Sequence, residues 1–277
     1  ESLVAESSRL SSLPEIFFMI NEVINDPNSS FGDVARVIGF DASLSVRLLK
    51  IVNSPFYSFP NKIETITHAI SIVGTEQLRD LALATTMFST FEGISHEQVD
   101  MNSFWRHSLG CGIIARILAL HCRQTNSERF FLTGILHDIG RLILLENLPG
   151  ETFKVLASFQ EKDRLLYEIE LEHLGFHHGE VGAALCRAWH LSPTLQEVIA
   201  CHHHPDQAKK FPLETGILHL SNLMATAMGL GTSGDPRVPP LNAGVWDKLG
   251  LTLDHLAMLW DQVEPQYTET VDLVLAR

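Results

Sequence analysis

Apolar residues recur at intervals of three and four along nearly the whole chain, which is the period of one face of an α-helix. In "SLSVRLLKIVN" they are Leu44, Leu48, Leu49 and Val52. No run alternates in the two-residue period of a half-buried strand, so the expected fold class is all-α. Helix starts are marked by Ser30 with Asp33 three residues later, by Asp41, Thr75 and Thr252, and by Ser192 followed by Pro193, residue types that accept or do without the unpaired N–H groups of a first turn. Breaks fall at "NSPFYSFPN", "FEGIS", "NLPGE" and "GTSGDPRVPPLN", where Gly, Pro, Asn and Ser cluster. The aromatics of the first break, Phe56, Tyr57 and Phe59, are expected to tuck that loop into the core rather than to form a contact patch. No internal repeat of fixed period stands out. The chain divides near Gly93. Residues 1–92 read as a helical subdomain packed on a second helical bundle, residues 93–277, which holds nearly all the histidines. Its last segment, from about Leu241, is amphipathic and expected to pack back on the rest.

The 277 residues, 45% of them hydrophobic, can bury a substantial core. A net charge of -13 and the lack of any Lys/Arg cluster argue against broad nucleic-acid binding, because an acidic surface repels phosphate backbones. The four cysteines, Cys111, Cys122, Cys186 and Cys201, form no C-x-x-C pair. They read as reduced core thiols, which suits the cytoplasm. The start "ESLVAESSRL" lacks the basic-then-apolar pattern of a leader. With no initiator Met, the chain is expected to have been trimmed or cut from a longer one. No apolar stretch of about 18 residues runs uninterrupted, so no membrane span is expected.

The unusual feature is the placement of the 14 histidines. "TGILHDIGRLIL" is almost wholly apolar, yet it carries His137 and Asp138 at its centre. Burying a charge there costs several kcal/mol unless something compensates it. Further histidines sit in "FWRHSLGCG" (His107), "FHHGEVGAAL" (His177, His178) and "IACHHHP" (His202, His203, His204). Read as helix neighbours, His137 and Asp138 point about 100° apart, and two carboxylate oxygens are enough to bridge a pair of ions. Gly110, Gly134, Gly140 and Gly182 stand three or four residues from these histidines. Glycines on the histidine faces would let helices approach closely enough for several ligands to converge. A lone helical histidine is ordinarily a hydrogen-bonded core or surface residue, and His68, His96, His121, His173, His190 and His255 are read that way. Four such places together favour a metal-type pocket. Imidazole with carboxylate suits zinc, iron, manganese or nickel, and the residues do not choose among them.

These motifs resemble the HD superfamily of metal-dependent phosphohydrolases, and more specifically the HDOD domain, the HD-related output domain of bacterial signalling proteins. "LLKIVNSPFYSFPNKIETITHAISIVG" and "LRDLALA" look like the helical region particular to HDOD domains. "GILHDIG", "HHGEVGAALCRAWHLSP" and "VIACHHHP" follow in the order of that family, and "VWDKLGLTLDHL" looks like its C-terminal helices. By position, the resemblance makes His107, His137, Asp138, His178, His202 and His203 metal ligands, with His137 and Asp138 the catalytic candidates if the chain is an enzyme. The pattern's final aspartate falls at Asn222, a weak ligand. HD-GYP phosphodiesterases have a lysine three residues after the doublet; here it is Arg141, a minor catalytic candidate read first as a solvated residue at a helix turn. Their Gly-Tyr-Pro signature is absent, and Ser103 stands where some have a glutamate. The resemblance therefore implies a signalling module holding one or two divalent ions and binding a protein partner or a small nucleotide-like ligand. The alternative is a phosphohydrolase acting on a nucleotide or cyclic dinucleotide.

Overall fold

The computed structural model describes residues 14–91, 99–161 and 163–275. Among them there are helices and connecting turns and no β-strand, as the three-four periodicity predicts. The expected boundary at Gly93, the "FEGIS" break beyond its first residue, Phe91, and His96 lie outside the described residues.

Five helices come first: α1 (Glu15–Asn25), α2 (Phe31–Ile38), α3 (Ala42–Val52), α4 (Ile66–Val73) and α5 (Thr75–Thr90). Ser30 and Asp33 form a reciprocal capping box at the start of α2, and Asp41 accepts the Leu44 N–H at the start of α3. The long α6 (Met101–His121) then forms the axis of the molecule, and apart from Arg106 every residue from Phe104 to Ala119 is buried. α7 (Ser127–Leu136) lies along it. α8 (Ile139–Asn147), α9 (Pro149–Glu161), α10 (Leu166–Leu174), α11 (His178–Ala188) and α12 (Pro193–Cys201) follow, then a 3-10 turn (Pro205–Gln207) and α13 (Pro212–Ala227). α14 (Ala243–Leu249) leads to α15 (Leu253–Leu275), which packs on α6 and on α3.

Two close approaches set the geometry of the centre. A Cβ on Gly134 of α7 would meet the Gly112 backbone of α6 at 2.4 Å, and one on Gly140 of α8 would meet the His178 carbonyl oxygen at 2.0 Å. Neither position tolerates a side chain, and the two pairs of helices meet backbone to backbone as the glycine spacing implied.

The Phe56–Phe59 loop does tuck inward. Phe56 is 2% exposed and packs edge-on against Phe131 at 5.0 Å. The Arg116 guanidinium lies 4.0 Å from the Phe56 ring centroid, and the Tyr57 hydroxyl donates to Glu128 Oε1 at 2.9 Å. This joint ties the first helices to α6 and α7. The cysteines divide otherwise than expected. All four are free, but only Cys111 and Cys186 are core residues, while Cys122 and Cys201 are half-buried.

Candidate metal centre

The His137–Asp138 doublet does not lie within one helix, contrary to the sequence expectation. α7 ends at Leu136 and α8 begins at Ile139, and the doublet forms the turn between them. Asp138 holds the N-cap position of α8 but makes no capping hydrogen bond with its side chain. Its carboxylate is turned away from the helix and toward the histidines.

The turn brings together side chains from α6, α11 and the end of α12. Asp138 Oδ1 lies 2.9 Å from His178 Nε2 and 3.8 Å from His202 Nε2. Oδ2 lies 3.2 Å from His137 Nε2 and 3.9 Å from His107 Nε2. His203 Nε2 is 2.9 Å from His178 Nε2. Asn222 on α13 places Oδ1 3.1 Å from His107 Nε2. His107, His137, His178 and His202 thus converge on one carboxylate, with His203 joined through His178 and Asn222 through His107. His107, His137, Asp138, His178 and His202 are each at most 2% exposed.

The ring orientations are set from behind. Nδ1–H of His137 donates to the Gly134 carbonyl at 2.7 Å, that of His202 to the Ile199 carbonyl at 2.7 Å, and that of His178 to Glu170 Oε2 at 2.6 Å. A neutral imidazole that donates from Nδ1 presents a bare lone pair at Nε2, so Nε2 of His137 and of His202 is available to an ion, while Nε2 of His178 faces Asp138 Oδ1. Burial works against the charged form of Asp138, but His137, Arg141 and His178 outweigh it and hold the carboxyl well below its usual value. Burial, then neighbouring histidines, holds His202 and His203 well below the usual imidazole value. Burial and Arg141 oppose protonation of His178, yet Glu170 and Asp138 on either side of it prevail and raise its value.

The residues fit a divalent ion. Asp138 Oδ1 and His202 Nε2 are buried without a hydrogen-bond partner, Oδ1 meeting His178 Nε2 in an ion-pair contact at 2.9 Å. Asp138, His178, His202 and His203 each offer a ligand atom within 4.8 Å of the others, a nitrogen and oxygen set of the kind that zinc-class ions take.

Several partners were not read from the sequence. Glu170 accepts both the backbone N–H and Nδ1–H of His178, Tyr167 stacks on His203 with centroids 4.1 Å apart, and Ser233 donates its hydroxyl to Asp138 Oδ2. Ser233 belongs to the "GTSGDPRVPPLN" loop, which is tied across the site. Thr232 N–H donates to Ser103 Oγ, Asp235 accepts the Leu166 N–H, and Asn242 N–H donates to His219 Nε2. Arg141 is corrected: it is 7% exposed rather than solvated, with Nε 3.7 Å from Asp138 Oδ1. It stands three residues after Asp138 on the face that α8 buries. A narrow cleft over the centre, of about 20 Å³, is lined by Asp138, His203, Arg141, Tyr167, Asn222 and Ser233, among others.

The model of the HDOD domain family matches residues 10–205. The chain belongs to the HDOD domain family. The match takes in the doublet and the histidines through His203, but not Asn222 or Ser233. Among curated proteins, an uncharacterized protein of Treponema pallidum is 24% identical to this HDOD chain over 196 residues, 69% of this chain and 37% of its own length. The chain thus spans little more than a third of that relative. Among solved structures, an HDOD domain protein of unknown function from Geobacter sulfurreducens has a TM-score of 0.75 at 24% identity, covering 95% of this chain and 93% of its own. A candidate phosphohydrolase from Shewanella amazonensis has 0.76 at 24%, covering 99% and 98%. A candidate signal transduction protein from Marinobacter aquaeolei has 0.71 at 21%, covering 95% and 59%. At these identities the likeness establishes the all-α HDOD fold. No helix among the described residues is long and apolar enough to cross a membrane.

Proposed function

We propose that this HDOD domain is a regulatory output module. Its two helical parts, residues 1–92 and 93–277, act as one unit that binds a signalling protein or a small nucleotide-like ligand and turns nothing over. Asp138, His178, His202 and His203 hold a divalent ion, which takes up the electron pairs that Asp138 Oδ1 and His202 Nε2 leave without a partner. The observation that carries this reading is the closure of the site. The Asp138 side chain is 2% exposed, and the Ser233 hydroxyl is bonded to one of its two oxygens. In-line hydrolysis of a phosphoester needs an activated water, room for phosphorus and charge on both transferring oxygens. Here the final carboxylate of the hydrolase pattern is the neutral Asn222. The retained histidines and the buried Arg141 beside Asp138 favour a second reading, a phosphohydrolase whose substrate phosphate meets that guanidinium.

Metal analysis of the purified chain, followed by hydrolysis assays on nucleotides and cyclic dinucleotides, separates the two. The module retains a divalent ion and hydrolyses none of the panel. Turnover that disappears in His137→Ala would establish the enzyme instead.

A further inference from the structure

We propose that the other oxygen of Asp138, Oδ2, anchors a second cation site completed by His107, His137 and the thiolate of Cys111, and that this site selects a thiophilic ion of the zinc class. The inference rests on the reading of the Asp138 centre as metal-binding, and it assigns a ligand that the family pattern does not contain.

Four of the six edges of a tetrahedral site stand close to the lengths of a four-coordinate ion. A tetrahedral centre with ordinary zinc–sulfur and zinc–nitrogen bonds separates sulfur from nitrogen by about 3.6 Å, and nitrogen from oxygen by about 3.3 Å. Cys111 Sγ stands 3.5 Å from His107 Nε2 and 3.9 Å from His137 Nε2. Asp138 Oδ2 stands 3.2 Å from His137 Nε2 and 3.9 Å from His107 Nε2. His107, Cys111 and His137 offer ligand atoms within 4.8 Å of one another, and all three are buried. His107 and Cys111 are four apart on α6 and so share a face. The Gly134–Gly112 approach presses the end of α7 against that face, which brings His137 to the same point.

Charge argues for the sulfur. With Asn222 in place of a carboxylate, the second site would have only a share of Asp138 to set against a divalent ion. Binding through Cys111 releases the thiol proton to solvent, and the thiolate left behind supplies the missing negative charge. The competing contacts are compatible with this. Ser233 donates to Oδ2, but a carboxylate oxygen keeps a lone pair for an ion, and ligating carboxylates are commonly hydrogen-bonded in this way. Asn222 Oδ1, at 3.1 Å from His107 Nε2, can turn to the ion as a neutral oxygen. A site with two imidazoles and a thiolate disfavours magnesium, calcium and manganese, which prefer oxygen, and suits zinc or its spectroscopic substitute cobalt.

The test is a cobalt titration of the chelator-stripped chain. The first equivalent should bind without a sulfur-to-cobalt charge-transfer band, and the band should grow with the second. Cys111→Ser should take up the first equivalent and lose the band. A variant with both half-buried cysteines replaced, Cys122→Ser with Cys201→Ser, should keep it. Zinc-edge X-ray absorption on the wild-type chain loaded with two equivalents needs no variant, and it should find sulfur at about 2.3 Å. One equivalent bound with no band, a band that survives in Cys111→Ser, or a zinc shell of nitrogen and oxygen alone overturns the sulfur site and leaves the first ion standing. No ion bound at all overturns both.

Discussion

α7 has a buried carboxylate at each end, and the two are held in different ways. Glu128, in its first turn, is 5% exposed and lies where the helix dipole favours a negative charge. One cation answers it: Arg116 Nε is 3.7 Å from Glu128 Oε1, which also accepts the Tyr57 hydroxyl. Asp138 follows the other end of the helix, where the dipole is unfavourable. It is met by Arg141 and by four imidazoles from three directions, and several of the facing nitrogens carry lone pairs. Asp138 Oδ1 and His202 Nε2, both buried, are left without a hydrogen-bond partner, so the Asp138 end keeps electron pairs that the chain does not use. The protein closes the Glu128 end internally. At the Asp138 end it prepares a place for a cation.

The largest expected effect is at the closed end. Glu128→Ala leaves the Arg116 guanidinium buried without its partner and should cost about 3–5 kcal/mol. Urea unfolding should give the same loss with and without a chelator. Asp138→Ala should behave otherwise. With the ion at about a hundredfold excess over its dissociation constant, the variant forgoes about 2.7 kcal/mol of binding stabilisation. In the stripped protein it still loses the attraction of Arg141, His137 and His178 for the carboxylate, so a loss should remain there, smaller than in the loaded protein. Equal losses for Asp138→Ala in both conditions would make the two ends of α7 alike and dissolve the distinction.

The open end was the more legible in sequence, for a physical reason. A His-Asp doublet in an apolar run is a visible anomaly, and Gly110, Gly134, Gly140 and Gly182 stand at helical spacings that can be counted without coordinates. The all-α fold was legible from the same periodicity. What could not be read was whatever depends on tertiary placement. Ser233 and Asp138 are 95 residues apart, and Tyr57 and Glu128 are 71 apart, so nothing local marks either pair. Cys111 stood at the right spacing from His107, but its residue type reads as an ordinary core thiol. Arg141 was misread because a charged residue at a helix turn is ordinarily solvated, and only the packing of α8 shows that this one is not. The turn at His137–Asp138 escaped because the apolar run resumes at once on its far side with no Pro between, and Asp138, though at the N-cap of α8, makes no side-chain capping bond.

Glu170 gives the finest test of how the open end is prepared. It is 3% exposed and holds His178 twice, by the backbone N–H at 2.8 Å and by Nδ1–H at 2.6 Å. A carboxylate behind a ligating imidazole fixes the tautomer and makes the facing nitrogen a better donor to a metal. Glu170→Gln keeps the size and an acceptor oxygen but removes the charge, so the ring should stay in place while Nε2 becomes a poorer ligand. Metal affinity, measured by competition with a chromophoric chelator, should fall about 10- to 100-fold. The stability of the stripped protein should change less than in Glu128→Ala, because no buried cation loses its carboxylate. Unchanged affinity would mean that Glu170 serves only to cap the start of α11, and that the carboxylate at the end of α7 relies on its facing nitrogens alone.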